Sequence, residues 1–159
     1  MCSFEASSVV SFHRCCFVNN AHIPNTMKSD ISNRQDIELL VDTFYRKIQK
    51  DAYIGPYFNE VAKVDWSKHL PKMYEFWASI LLGEGSYRGH PMSKHLNADR
   101  KREIHRPHFD HWMLMWRDTV YGLFHGPKAD EAIQRAENIA ILTVFKINRQ
   151  HDGDIQDLS

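Results

Sequence analysis

The sequence predicts an all-helical single domain, and three observations carry that prediction. Apolar residues recur at three- and four-residue intervals in separate long stretches. No stretch alternates apolar and polar residues as a half-buried strand does. At 159 residues the chain is the size of one domain and buries a core without covalent staples.

Met1 to Thr26 differs from the rest of the chain. Val9, Val10, Phe12 and Phe17 are interrupted by His13 and Arg14, and no basic start precedes an apolar run long enough for a signal peptide. The segment reads as a disordered arm or as upstream sequence before a natural start at Met27, with no role in the chemistry. A domain over residues 27–150 and a polar, frayed tail over 151–159 complete the expected organisation.

From Asn33 to Lys50 the apolar positions Ile37, Leu40, Val41, Phe44, Tyr45 and Ile48 fall on one helical face, with Ser32 or Asn33 available as N-cap. Tyr45 sits beside that stripe, so its hydroxyl is carried toward the interior; the alternative is a tyrosine whose tip reaches the surface. Tyr53 to Asn59 is a turn with at most one short helical piece, which delivers Phe58 eleven residues before His69. A second helix is expected from about Asp65 to Leu82, with Trp66, His69, Leu70, Met73, Phe76, Trp77, Ile80 and Leu81 on one face. Pro71 lies inside it and should kink the helix or mark its true start.

Gly83 to Pro91 is a glycine-rich loop, and Pro91 suits the first position of a short helix through Leu96 in which Met92, His95 and Leu96 share a face. After the charged connection ADRKRE, a third long helix starts near Arg106 or Pro107 and runs to about Phe124, its stripe built on Phe109, Trp112, Met113, Trp116 and Val120. A fourth spans about Asp130 to Arg149, where Ala136 and Ala140 permit close packing.

Lys plus Arg and Asp plus Glu stand at 20 each, so net charge gives no reason to expect nucleic acid or an anionic membrane as partner. Cys2, Cys15 and Cys16 all precede the predicted helices, so no disulfide framework holds the body of the chain, and a reducing cytoplasm is the natural compartment. A monomer is the expected state. Ten histidines, four tryptophans and nine phenylalanines suit a protein that encloses a planar ligand, although a helical core uses the same aromatics.

The stretch from Trp66 to Leu96 organises the chemistry. His69 and His95 lie 26 residues apart, one long helix plus one loop, a spacing that lets two imidazoles face each other across a flat slot. Iron porphyrin is the commonest flat, apolar ligand needing one imidazole below the metal and a shielded polar space above it. No CxxCH occurs, so such a haem is held by coordination and packing alone. His95 on its short turn suits the axial position, its other ring nitrogen donating to a backbone carbonyl. Tyr45 and Trp112 are the donors for the far side, with Trp112 as pure core the alternative. His69 is a third donor, a swinging gate or a sixth ligand. Met73, Trp77, Met92 and Leu96 supply apolar contact to the macrocycle. The competing constellation is His105, His108 and His111, of which His108 and His111 are neighbours on a helix; no acidic or cysteine ligand completes a tetrahedral set except Asp110, which is expected to point elsewhere.

In order and spacing, FYRKIQKD, IGPYFN, WSKHLPKMYEFW, LLGEGSYRGHPMSKHL and HFDHWMLMW resemble the truncated haemoglobins, and within them group III. The likeness covers roughly Asp36 to Asn148. It implies a globin-like two-over-two helical sandwich around non-covalent haem b. By motif, His95 in SKHL resembles the proximal ligand, Tyr45 the distal tyrosine, Trp112 the distal tryptophan and His69 the distal histidine. Phe58 resembles the phenylalanine that wedges against the porphyrin, and Lys72 is placed to pair with a propionate. The implied function is binding of dioxygen, nitric oxide or carbon monoxide. An enzymatic alternative is oxidation of nitric oxide to nitrate, which requires a reductase, or peroxidase-like consumption of peroxide. A haem-free helical interaction module is the third possibility.

Overall fold

The structure is a computed structural model and describes residues 28–85, 87–89, 99–100 and 102–156, the last five as backbone. Among them no strand occurs. Four long helices carry the fold: α1 (Arg34–Lys50), α2 (Trp66–Leu81), α3 (Arg106–Leu123) and α4 (Pro127–Gln156), with a π-helical turn at Tyr57–Val61 between α1 and α2. Helix α1 packs on α2 and α3 on α4; the two pairs are laid against each other through α1 on α3 and α2 on α4. This is the two-over-two arrangement.

Each helix follows from local chemistry. Asn33 caps α1 through a reciprocal box with Asp36, whose own carboxylate accepts from the Asn33 N–H. The six predicted stripe residues of α1 are all buried, so one face of a single helix supplies much of the core. Helix α2 runs unbroken from Trp66 to Leu81 through Pro71, so the proline does not mark its start. In α3, Trp116 is fully buried; it stacks on Trp77 of α2 at 4.5 Å and on Trp112 at 5.9 Å, meets Phe44 of α1 edge-on, and donates Nε1–H to the Ala132 carbonyl at 3.2 Å. Ala129, Ala132 and Ala136 on α4 are fully buried and let α3 approach closely enough for that bond.

The start of α4 is fixed from a distance. Asp30 accepts from the N–H groups of Lys128 and Ala129, satisfying two otherwise unpaired donors at the helix N-terminus. Its side chain lies so close to Gly126 that a Cβ there would fall 2.6 Å from Asp30 Cγ, and Gly126 has φ +144°. Only glycine fits both requirements. Burial pushes the Asp30 carboxyl up, but the N–H donors of Lys128, Ala129 and Ile31 outweigh it and hold it below the usual carboxylate range.

The far end of α4 corrects the sequence reading. Residues 151–156, expected as a frayed tail, continue the helix, which also begins at Pro127 rather than near Asp130. The physical reason is a tertiary tie that the polar sequence does not reveal: His151 and Gln150 both reach the buried carboxylate of Asp99. The expected short helix at 91–96 lies outside the described residues.

Candidate haem-binding site

Between the two layers lies a cavity of about 980 Å³. Helix α1 contributes Tyr45, the π-helical turn Tyr57 and Phe58, and α2 His69, Lys72, Met73, Phe76 and Trp77; α3 contributes Phe109 and Trp112, and α4 the floor of Ile139, Ala140 and Thr143. Seven residues expected at the site, Tyr45, Phe58, His69, Lys72, Met73, Trp77 and Trp112, thus line one space although they come from four elements. His95, Met92 and Leu96 lie outside the described residues.

Tyr45 is only 6% exposed. Its ring stands edge-on to Phe44 at 5.1 Å, Phe58 at 6.2 Å and His69 at 5.0 Å, and tilted against Trp66 at 5.8 Å. Burial, and secondarily the nearby Tyr87, push its phenol well above the ordinary tyrosine range, so the hydroxyl keeps its proton and remains a donor. The His69 ring is perpendicular to both Tyr45 and Trp66, the latter at 5.7 Å, which sets an imidazole and a phenol side by side on one wall. Trp112 forms the next part of the lining, held edge-on to Phe44 at 5.3 Å and stacked on Trp116. Its indole therefore borders the cavity on one side and packs against the core on the other.

The donor set fits a haem. The walls are largely aromatic and aliphatic, as a macrocycle requires, and Lys63, Lys68, Lys72 and Arg88 line the same cavity beside Asp65 and Glu75, leaving cations in excess there for an anionic ligand. Lys63 adopts a left-handed conformation with φ 46°, unusual outside glycine; it sits inside the turn that the Val64 N–H closes onto the Phe58 carbonyl. Lys63, Lys68, Arg88 and Tyr87 escaped the sequence reading. Lys68 pairs with Asp65, the residue that precedes α2, at 2.9 Å.

The histidines of α3 do not assemble a metal site. His105 precedes the helix, and its backbone N–H donates to His108 Nδ1 at 2.9 Å. His108 Nε2 lies 3.1 Å from Tyr57 Oη, while His111 Nε2 pairs with Asp51 at 2.9 Å. Burial lowers the basicity of His108, which suits a neutral ring accepting through Nδ1. Among the described residues no cluster of three His, Cys, Asp or Glu side chains can hold a metal ion.

A two-over-two helical sandwich enclosing an aromatic cavity with cations among its lining residues is the architecture of a small globin. The bacterial-like globin family model matches residues 27–144. The chain is 32% identical over 117 residues to the group 3 truncated hemoglobin ctb of Campylobacter jejuni, spanning 72% of this chain and 90% of that protein. The crystal structure of group III truncated hemoglobin from Campylobacter jejuni superposes with a TM-score of 0.66 at 31% identity, covering 76% of this chain and 95% of that one. The protein belongs to the group III truncated haemoglobins within the bacterial-like globins. Membership makes it a haem-binding protein whose ligands are diatomic gases such as oxygen.

Proposed function

We propose that the protein binds haem b without covalent attachment and uses it to hold dioxygen, with nitric oxide and carbon monoxide as further ligands. In this reading His95 supplies the proximal imidazole, and Tyr45, His69 and Trp112 form the distal wall. The haem supplies the metal that takes the gas; the chain supplies everything else. Phe58, Met73 and Trp77 press on the macrocycle, and Lys72 and its cationic neighbours meet the propionates. The observation that carries the reading is the buried, proton-retaining Tyr45 beside His69 in a cavity of macrocycle size. A phenol O–H in a dry pocket stabilises partial negative charge on a bound gas more than it would in water.

Several polar donors around one ligand favour slow release, which suits storage, sensing or turnover better than transport. No helix among the described residues is long and apolar enough to cross a membrane. The absence of cysteine from residues 17–159 supports a reducing cytoplasm as the working compartment. The test is purification with haem supplementation followed by reduced spectra with and without carbon monoxide. The expected result is a stoichiometric haem protein whose His95→Ala variant loses haem or changes its ferrous spectrum. An unaltered spectrum in that variant overturns the proximal assignment. Mixing the oxygenated protein with nitric oxide, then adding a reductase, separates a ligand-binding role from catalytic conversion to nitrate.

A further inference from the structure

The outward face of α4 carries three large apolar side chains that no described part of the fold covers: Ile141, Leu142 and Phe145 are 63%, 53% and 58% exposed. Isolated apolar residues are ordinary on a surface, whereas a cluster on one helical face marks a contact. On the inward side of the same turns Ala140 and Thr143 are buried and line the ligand cavity, so α4 has two apolar faces and uses only one of them within the chain. Helix α3 extends the patch. It runs antiparallel beside α4, tied by Arg117 to Glu137 and by the Tyr121 hydroxyl to Asp130; one turn beyond the Arg117–Glu137 pair stand Leu114, 59% exposed, and Ile141. Charge changes sign across the patch. Toward the start of α4, Asp130, Glu131 and Glu137 line a surface hollow of about 470 Å³ whose lining holds no basic residue, although Arg117, Lys128 and Arg135 pair with these acids from its rim. Toward the end of α4, Lys146 and Arg149 are exposed, and from Asn138 to Gln150 no acidic residue occurs.

We propose that this face seats a second copy of the same chain, in a two-fold dimer that pairs the α4 helices antiparallel. A two-fold contact requires one half of the surface to complement the other half. An axis passing between Ile141 and Leu142 meets that requirement, because residues equally far from it along the helix then face each other. Lys146 falls opposite Glu137 of the partner subunit, Phe145 opposite Asn138 of the partner subunit, and Arg149 opposite Gln134 of the partner subunit, at the acidic hollow. Each match occurs twice. From Gln134 to Arg149 is about 22 Å of helix, a length over which two helices crossing at about 20° stay side by side. The apolar side chains meet at the axis and the charges form the rim, as in protein interfaces generally. Parallel pairing would instead set Lys146 and Arg149 against their own copies, and like charges oppose it. Two paired helices cover less than the about 800 Å² per subunit of a standard interface, so the dimer is reversible and its population follows concentration. Because Ala140 and Thr143 face the other way, the pairing leaves the ligand cavity unaltered.

Sedimentation velocity and light scattering of the full-length holoprotein, from about 5 to 500 µM, read the association directly. The expected result is a protein mass that rises with concentration from the 18.7 kDa of one chain toward twice that value. Ile141→Glu and Phe145→Glu alter side chains that are more than half exposed, so haem content and circular dichroism should match the parent while association weakens about tenfold or more. Glu137→Lys and Lys146→Glu, each alone, set like charges opposite each other and should weaken association about two- to tenfold. An equimolar mixture of these two variants should recover the parental association, because each then meets the opposite charge on its partner; general stickiness gives no such recovery. Lys28 Nζ donates to the Tyr121 carbonyl, so the described chain begins beside the hollow, and the residues before it are the rival occupant of this face. In that case the parent stays at the mass of one chain at every concentration, as a monomer, which overturns the proposal. Association unchanged in both Ile141→Glu and Phe145→Glu also overturns it, as does a mixture of the charge variants no more associated than its components.

Discussion

Removing one oxygen atom from Tyr45 isolates the polar contribution proposed for the distal wall. In Tyr45→Phe the ring keeps its four neighbours Phe44, Phe58, Trp66 and His69, so packing is preserved and only the donor is lost. Because the phenol is buried and burial keeps it protonated, the bond proposed between it and a partly charged gas would be worth about 1.5–3 kcal/mol, the range for hydrogen bonds to charged groups in proteins. At 1.36 kcal/mol per factor of ten, oxygen release should quicken about ten- to 150-fold. Stopped-flow replacement of oxygen by excess carbon monoxide measures that rate directly. Carbon monoxide carries little charge when bound, so its own release should change far less, and the ratio of the two rates separates hydrogen bonding from packing. The pH profile gives a second reading: an ordinary tyrosine would produce an inflection near about pH 10, whereas the raised value for Tyr45 keeps release flat through that region. Equal acceleration of both gases would refute the donor role, and unchanged release in both Tyr45→Phe and Trp112→Phe would reduce these residues to packing.

Other consequences are open to simpler assays. Trp116→Ala removes a fully buried indole stacked between two others and should cost about 3–5 kcal/mol in denaturant unfolding of the apoprotein; a loss below about 1 kcal/mol would contradict the central place given to that stack. Lys68→Ala combined with Lys72→Ala should speed transfer of haem to an excess of apo-acceptor globin about two- to tenfold, an effect that shrinks with added salt because exposed ion pairs are weak and screened. No change at low salt would remove these lysines from the propionate site. Asp30→Asn should lower stability by about 1–2 kcal/mol near neutrality, because the amide keeps one accepting oxygen and turns a second donor toward a helix N–H. The folded carboxyl of Asp30 titrates below its unfolded value, so its contribution is full above the unfolded pKa and is lost as pH falls through the folded one. The parent should therefore lose more stability than the variant on acidification, and parallel acid limbs would refute this account.

Helix α1 was fully legible because its burial repeats the apolar spacing and its N-cap chemistry is local: Asn33 and Asp36 are three residues apart and need no tertiary help. The pocket residues of α1, α2 and α3 were legible for the same reason, each being fixed to a helix face by periodicity. What escaped depends on distant partners. Asp99 sits in ADRKRE, which reads as a solvated connection; only His151 and Gln150, brought back by the whole length of α4, make it a buried group. The same tie explains why α4 outlasts the polar, glycine-containing sequence that should have ended it. Pro71 does not mark the start of α2, since the loss of one backbone donor is outweighed by the packing of Trp77, Ala78 and Leu81 further along the helix. Lys63 joins the pocket through a left-handed backbone conformation that no periodicity announces.

The ladder of indoles formed by Trp77, Trp116 and Trp112 has an optical consequence. Rings at these separations share excitation energy, and the last of them borders the space a porphyrin would fill. Ultraviolet light absorbed deep in the protein interior is thereby delivered to a strongly absorbing acceptor, so the chain's own emission should dim as each molecule takes up its pigment. The protein carries a built-in gauge of how much of it is loaded.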